Sequence, residues 1–177
     1  MAIQIGAKPD SGFDDPIGML KDCHRRIEHF LNILCTVAER VGDRSLTEEE
    51  HSAVKAALQY FHTGGERHTL DEEESLFPRL AGAAGAEDLK VIDRLENDHA
   101  RASELHASVD WLYTSWITDG ALERVDQQRL MSHTASLRQL YKTHIEIEEN
   151  VIFPRAAEML DNDALSAIGN EFNTRRR

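Results

Sequence analysis

The sequence predicts an all-α protein, an up-down-up-down four-helix bundle with a short C-terminal helix. Two observations support this fold class. Apolar residues recur at the helical period of about 3.6 residues over long segments, and no segment alternates as a strand would. Capping residues and glycines divide the chain into four long segments joined by short connections. Short connections place consecutive helices antiparallel, which is the arrangement of such a bundle.

The chain divides into three parts. Residues 1–15 contain glycine and proline without a periodic apolar pattern, so we expect an irregular N-terminal lead-in. Residues 16–160 form the predicted bundle, and residues 161–177 form a short helix with a basic tail. The tail ends in three consecutive arginines, residues 175–177, which we expect to be solvated rather than to bind a partner.

The first two helices are marked by their N-terminal caps. Asp15 precedes Pro16, and an acidic cap followed by proline in the first turn is a typical helix start. Thr47 and Glu50 have the spacing of a capping box, which starts the second helix. We expect this helix to run to about Leu80, weakened in its middle by a pair of glycines.

The remaining helices are bounded by glycine-containing breaks. The segment 82–85 separates the second helix from a third, predicted at 87–117. The turn at residues 119–120 precedes a fourth helix, predicted at about 123–160. Asn162 or Asp163 is predicted to cap a short fifth helix that ends near residue 172.

Composition limits the partners of the chain. Its 177 residues suffice for one domain, and 20 basic against 32 acidic residues give a formal net charge of -12. This acidic surface argues against nucleic acid and anionic membranes as partners. No apolar run reaches the ~18 residues of a membrane span. Cys23 and Cys35 stand about 18 Å apart on one predicted helix, too far for a disulfide, so we expect a cytoplasmic protein.

Two segments of the chain repeat one motif. Both read H-x-x-x-E-E-x-x-x-F-P-R, one beginning at His68 and the other at His144. One copy would be weak evidence because histidine and glutamate are common on helix surfaces, whereas two copies in one short chain indicate an internal duplication. We expect the F-P-R ending to be structural, with the phenylalanine packing and the proline disturbing the end of the helix.

Each copy has a partner histidine upstream. His24 precedes His68 by 44 residues, and His99 precedes His144 by 45 residues. Two residues of an antiparallel hairpin lie at the same height when they are equidistant from its turn. The midpoints of consecutive histidines, at positions 46, 83.5 and 121.5, fall in or beside the loop predicted at residues 42–45, the break at 82–85 and the turn at 119–120. The four histidines are therefore expected on one level of the bundle.

Two glutamates complete the predicted site. Glu72 and Glu148 each follow a histidine by four residues, so each lies on the same helix face one turn further on. Imidazole and carboxylate are usual ligands of first-row metals. Two carboxylates between two histidine pairs suit the bridging of two cations roughly 3.5–4 Å apart. The predicted ligands are His24, His68, Glu72, His99, His144 and Glu148.

These motifs resemble those of the hemerythrin-like, or HHE, cation-binding domain family over about residues 15–160. The resemblance implies a hemerythrin-like bundle with a non-haem di-iron centre of two iron ions, with zinc or manganese as alternative metals. It also implies a role in binding or sensing oxygen, nitric oxide or peroxide, or in handling iron. Oxygen-carrying hemerythrins have a further histidine one turn after the third-helix ligand, where Ser103 stands here. The remaining set is similar to that of the iron-centre repair proteins of the same superfamily, which weakens the case for reversible oxygen transport.

The opposite side of the site is predicted to be open. One helical turn from the histidines, away from the two glutamates, the inward positions are Glu28, Gly64, Ser103 and Tyr141. We expect them to line a small pocket for a diatomic ligand such as oxygen or nitric oxide, with Glu28 as an extra ligand or proton acceptor and Tyr141 as a hydrogen-bond donor. Alternatively, Gly64 and its neighbouring glycine only permit a bend or close packing. His106, two turns after His99, either supports the site or is a buried hydrogen-bonded residue.

Two further classes of protein remain open. A ferritin-like di-iron oxidase would carry E-x-x-H motifs, which occur at Glu96–His99 and Glu48–His51, but His51 lies far from the common level. A structural or regulatory bundle would have a zinc-filled or vestigial site. The sequence offers no substrate pocket specific enough to name a reaction, so a binding or sensing protein is expected rather than an enzyme.

Overall fold

The structure is a computed structural model that describes residues 10–42, 44–83 and 85–177. Residues 1–9, most of the predicted irregular lead-in, lie outside the described residues. Within the described part of the chain there are five helices and no strands, which confirms the all-α prediction. The helices are α1 (Pro16–Ala38), α2 (48–83), α3 (Ala86–Asp119), α4 (124–159) and α5 (Asn162–Arg175).

The first four helices form a bundle in which each packs against its two neighbours. Helix α1 contacts α2 and α4, and α3 contacts α2 and α4. Helix α5 packs across α1 and α2 at one end of the bundle. None of the described helices combines the length and the apolar composition that crossing a bilayer requires.

The helix starts follow from local hydrogen bonds. The Asp15 side chain caps α1 by accepting a hydrogen bond from the Gly18 amide, and Pro16 occupies the first turn. Thr47 and Glu50 form the predicted capping box at the start of α2. The cap of α5 is Asp161, one residue before the position that the sequence predicts.

Helices α2 and α4 are interrupted by wider π-helical turns. Helix α2 contains two of them, Phe61–Gly65 and Glu72–Leu76. Helix α4 contains one, Glu148–Ile152. The α-helical segments of these two helices are Glu48–Tyr60, Glu66–Asp71, Phe77–Ala83, Arg124–Ile147 and Phe153–Met159. The prolines of the two F-P-R motifs therefore do not end the helices, because each helix continues after a π turn.

The apolar core is divided into two clusters by a polar layer. The larger cluster occupies the end of the bundle near the loop between α1 and α2 and contains Leu34, Tyr113 and Trp116. The smaller cluster lies at the end covered by α5 and contains Phe77 and Phe172. The buried histidines and glutamates lie outside both clusters, so apolar packing on either side keeps water from this layer.

Two of the three C-terminal arginines, Arg175 and Arg176, are docked rather than solvated, contrary to the sequence-based expectation, whereas Arg177 is exposed. Arg175 and Arg176 both bind the carboxylate of Asp71, which is fully buried on α2. Arg175 Nη1 lies 2.9 Å from Asp71 Oδ1. These ion pairs hold the end of α5 against α2, next to the predicted ligand Glu72.

Candidate metal centre

The structure brings the four predicted histidines together in the polar layer. Each bundle helix contributes one of them, and all four are at most 8 % exposed. Glu72 and Glu148 lie among the four rings and are completely buried. The histidines are His24 on α1, His68 on α2, His99 on α3 and His144 on α4.

Each glutamate joins one histidine of its own helix to one histidine of another helix. Glu72 places its two oxygens 3.3 Å from His68 Nε2 and 3.3 Å from His99 Nε2. Glu148 places its two oxygens 3.2 Å from His144 Nε2 and 3.0 Å from His24 Nε2. Each carboxylate thus spans the two halves of the bundle.

The six residues form two overlapping groups of four ligand atoms. In each group the atoms all lie within 4.8 Å of one another. Both glutamates belong to both groups, whereas each histidine belongs to one. The first group adds His24 and His68, and the second group adds His99 and His144. This is the arrangement that two neighbouring cations with two bridging carboxylates would require.

Unpaired buried atoms at the centre of the layer fit such cations. Both oxygens of Glu72, both oxygens of Glu148 and the Nε2 atom of His24 have no hydrogen-bond partner. Leaving a buried polar atom unpaired costs about 1–3 kcal/mol, and more for a charged group. Cations between the carboxylates would satisfy all of these atoms, and nitrogen and oxygen donors suit iron, manganese and zinc.

The pKa values of the two carboxylates shift in opposite directions. Burial and the charge of Glu148 raise the pKa of Glu72 well above its ordinary value. Burial also opposes ionisation of Glu148, but its close contacts with the imidazoles of His144 and His24 hold its pKa well below the usual range. Two carboxylates this close repel each other, so bound cations would favour the ionised form of both.

The histidines are also perturbed by the layer. Burial and the nearby imidazoles lower the pKa of His68 well below its ordinary value, and burial and His144 lower that of His99. Burial acts in the same direction on His24, but its contacts with Glu148 and Glu149 outweigh burial and raise its pKa. A neutral imidazole is the form that binds a metal, so the buried layer favours the required form at His68 and His99.

The second glutamate of each motif has a role that the sequence analysis did not assign. The Nδ1 atom of His99 donates to Glu73 Oε1 at 2.8 Å. The Nδ1 atom of His24 donates to Glu149 Oε1 at 2.9 Å. Such a bond fixes the ring orientation and leaves Nε2 free to face a metal. The E-E doublet present in both copies was the available signal.

The phenylalanine of each motif packs on the same histidine that the second glutamate binds. The Phe153 ring stacks on His24 with 5.4 Å between ring centroids. The Phe77 ring stacks on His99 with 6.2 Å between centroids. Hydrogen bond and stacking together restrict each imidazole to one orientation.

The π turns begin at the two bridging glutamates. The Phe77 amide donates to the carbonyl of Glu72, and the Phe153 amide donates to the carbonyl of Glu148, each five residues back. The proline after each phenylalanine has no amide hydrogen, which favours a local change in the hydrogen-bond ladder. Single π turns are frequent at functional sites because they re-aim side chains, and here both occur at the same step of the repeat.

Two of the four predicted pocket residues line a cavity beside the site. Ser103 and Tyr141 border a cavity of about 430 Å³ between α2 and α3, which also reaches His99. Glu28 is exposed and does not line this cavity, so its predicted inward position is wrong. Buried Ile27, three residues after His24, takes the inward position instead.

Gly64 also does not line this cavity, whereas its neighbour Gly65 does. A Cβ atom added at Gly64 would lie 2.6 Å from the Tyr60 ring. The π turn Phe61–Gly65 adds a residue to the turn and shifts the register that regular helical spacing assumes. Close packing against Tyr60, the alternative stated above, therefore describes Gly64 better than a pocket wall.

Comparison with known proteins addresses the family directly. No curated protein matches the sequence. The model of the hemerythrin HHE cation-binding domain matches residues 15–156, from the cap of α1 to the last turns of α4. This match includes all six residues of the buried layer and most of the chain. The chain therefore belongs to the hemerythrin HHE cation-binding domain family.

Proposed function

We propose that the chain holds a non-haem di-iron centre and uses it to bind or sense oxygen, nitric oxide or peroxide, or to handle iron. The observation that carries the proposal is the pair of shared carboxylates, whose four oxygens are buried among four imidazoles and have no hydrogen-bond partner. The ligands we propose are His24, His68, Glu72, His99, His144 and Glu148.

The charge of the layer supports two divalent ions. Two such ions carry four positive charges, and four carboxylates surround the proposed positions. Glu72 and Glu148 contact the imidazole Nε2 atoms, and Glu73 and Glu149 hold the Nδ1 atoms of His99 and His24. Opposite charges at these separations interact strongly in a buried layer, which favours a filled site over an empty one.

The protein residues have separate tasks in this proposal. Glu72 and Glu148 would hold both ions, and Glu73 and Glu149 orient the imidazoles. When bound, iron would supply affinity for diatomic ligands and peroxide. The cavity at His99 gives such a ligand a route from solvent, with Tyr141 at its buried inner end.

Metal analysis and absorption spectroscopy test the proposal. Protein purified without oxygen and supplied with ferrous iron should bind about two iron ions per chain. Its visible spectrum should change on exposure to oxygen, nitric oxide or hydrogen peroxide. Protein that stays folded but takes up no ferrous iron would contradict the proposal, and tight binding of zinc alone would favour the structural alternative.

The ferritin-like oxidase is not favoured by the geometry. Its arrangement needs a glutamate from two helices and an E-x-x-H motif from each of the other two. The histidine of the second motif, His51, lies in the first turn of α2 and is absent from both ligand groups. We also propose a reducing, cytoplasmic location, because Cys23 and Cys35 are both buried and unpaired.

A further inference from the structure

The cavity between α2 and α3 is larger than a diatomic ligand needs. Its volume is about 430 Å³. A dry protein cavity of about 150 Å³ already accommodates benzene. Sites for small organic molecules typically measure about 300–1,000 Å³. The cavity therefore has the size of a site for an organic molecule of one ring or an equivalent chain.

The walls of the cavity are mostly apolar. Leu58 and Phe61 line it from α2, and Ala102 and Ala107 line it from α3. The mouth lies between these helices, because Glu66, Ala107 and other exposed residues border it. Apolar walls gain free energy from an apolar occupant that displaces water, at roughly 25 cal/mol per Å² of apolar surface removed from water.

The inner end of the cavity carries a neutral polar pair. His106 Nε2 and the Tyr141 hydroxyl share a hydrogen bond of 3.1 Å. Burial lowers the pKa of His106 to about 4, so this ring is uncharged at neutral pH. A hydroxyl group both donates and accepts hydrogen bonds, so the pair can bind one further neutral polar group. The ring of His99 also borders the cavity.

The charges at the mouth disfavour an anion. Glu66 is exposed at the rim, and Asp110 is paired with His62 at 3.0 Å. Among the described residues that line the cavity there is no lysine or arginine to pair with a carboxylate or phosphate. An anionic ligand would meet a like charge on entry and would lose hydration without compensation.

We propose that this cavity binds a neutral organic hydroxyl compound, the class that includes alcohols, phenols and organic hydroperoxides. The apolar body lies against Phe61 and Ala107, and the hydroxyl group bonds to the Tyr141–His106 pair. Binding in the cavity does not depend on a metal. The approach of the ligand oxygen to a cation at His99 rests on the proposed function.

Three compounds of similar size test which chemical class of ligand the cavity binds. The full chain, as isolated, is titrated with benzyl alcohol, toluene and benzoate by calorimetry or ligand-observed nuclear magnetic resonance. Benzyl alcohol should bind saturably, toluene roughly three- to tenfold more weakly because it lacks the hydrogen bond, and benzoate more weakly than benzyl alcohol. Absence of saturable binding, or benzoate binding at least as tightly as benzyl alcohol, would overturn the proposal.

Matched variants locate the binding. Ala107 and Ala100 are both exposed alanines of α3, but only Ala107 lines the cavity. Ala107→Trp should fill the cavity and abolish binding of benzyl alcohol, and Ala100→Trp should retain it. Tyr141→Phe should remove the preference for benzyl alcohol over toluene while toluene still binds. Equal binding by the two tryptophan variants would place the ligand elsewhere and overturn the proposal.

The metal content of each sample separates this proposal from the di-iron proposal. A protein that binds benzyl alcohol in the cavity but takes up no ferrous iron would support the cavity site and contradict the di-iron centre. A protein that takes up iron but binds none of the three compounds would contradict the cavity site alone.

Discussion

The two halves of the candidate metal site share Glu72 and Glu148 but differ in their surroundings. In each half an imidazole stacks on a phenylalanine and donates to the second glutamate of a motif, at His24 in one half and at His99 in the other. Seven residues after His99 stands the polar His106, and seven residues after His24 stands the buried, apolar Leu31. The His99 half opens into a cavity, whereas α1 contributes no residue to that cavity.

The two copies of the motif also differ at a neighbouring position. The residue before the bridging glutamate is Asp71 in the first copy and Ile147 in the second. Asp71 binds Arg175 at the end of α5 and Arg176 directly after it, so the first copy is held against the end of α5. The histidine and glutamate positions of the motif are repeated, whereas the position before the bridging glutamate has diverged, so the first copy carries the Asp71 anchor and the second copy an apolar residue.

The largest effect is expected from removing either bridging glutamate. Glu72→Ala and Glu148→Ala should lose both cations to the same extent, because each carboxylate belongs to both ligand groups. His68→Ala should weaken one cation only. Iron per chain after anaerobic reconstitution measures this, with exposed Glu66→Ala as a control that should keep about two ions. Full iron content in either bridging variant would show that the carboxylates are not shared.

Breaking the ion pairs of Asp71, in the first copy of the motif, should lower the free energy of unfolding more than breaking an ion pair in the second copy. Asp71→Asn leaves Arg175 and Arg176 without their buried partner, at a cost of about 3 kcal/mol, the low end for a broken buried ion pair because both arginines can reach solvent. Arg155→Ala, in the second copy, breaks the surface ion pairs with Glu158 and Asp88 and should cost less than about 1 kcal/mol. Urea unfolding of both variants measures the difference, and equal costs would contradict the asymmetry.

The second glutamates should act on different cations. Glu73→Ala should weaken the cation at His99 and His144, and Glu149→Ala should weaken the cation at His24, each by about 10- to 100-fold. The glutamine variants should lose less, since an amide oxygen still accepts the Nδ1–H bond. Competition with a coloured chelator measures the affinities.

Exposed Glu146→Gln, two residues before Glu148, serves as the control for these variants and should bind both ions normally. If Glu73→Ala and Glu149→Ala weakened the same cation, the assignment of one glutamate to each half would be wrong.

The sequence predicted the fold and the ligand level because both depend on regular helical geometry. The capping box at Thr47 and the loop midpoints depend only on local hydrogen bonding and on the rise of the helix. Gly64 was misplaced because the π turn Phe61–Gly65 breaks that regularity, and the spacing of apolar residues does not reveal such a turn. Glu28 was misplaced because Ile27, not Glu28, faces the core.

Tertiary contacts account for the other differences. The role of Glu73 depends on its contact with His99, 26 residues away on another helix, and no local pattern encodes such a contact. The docking of Arg176 on Asp71 joins positions 105 residues apart, so a basic tail that looks solvated by composition becomes an anchor.

A final expected effect concerns pH and the half of the site that carries His106. Burial, with the nearby charge of His62, lowers the pKa of this ring from 6.5 to about 4, although Asp110 acts in the opposite direction. Between these two pH values the imidazole is protonated in the unfolded chain but neutral in the folded chain. The free energy of unfolding therefore falls as the pH drops from 6.5 to 4, by at most about 1.4 kcal/mol per pH unit. His106→Leu introduces the residue that stands at the matching position of the other half, Leu31. It should reduce the pH dependence of the free energy of unfolding over this range, as measured by urea unfolding. Tyr141→Phe should keep the slope, because burial rather than the shared hydrogen bond lowers the pKa of His106, and an unchanged slope in His106→Leu would assign the acid sensitivity to other groups.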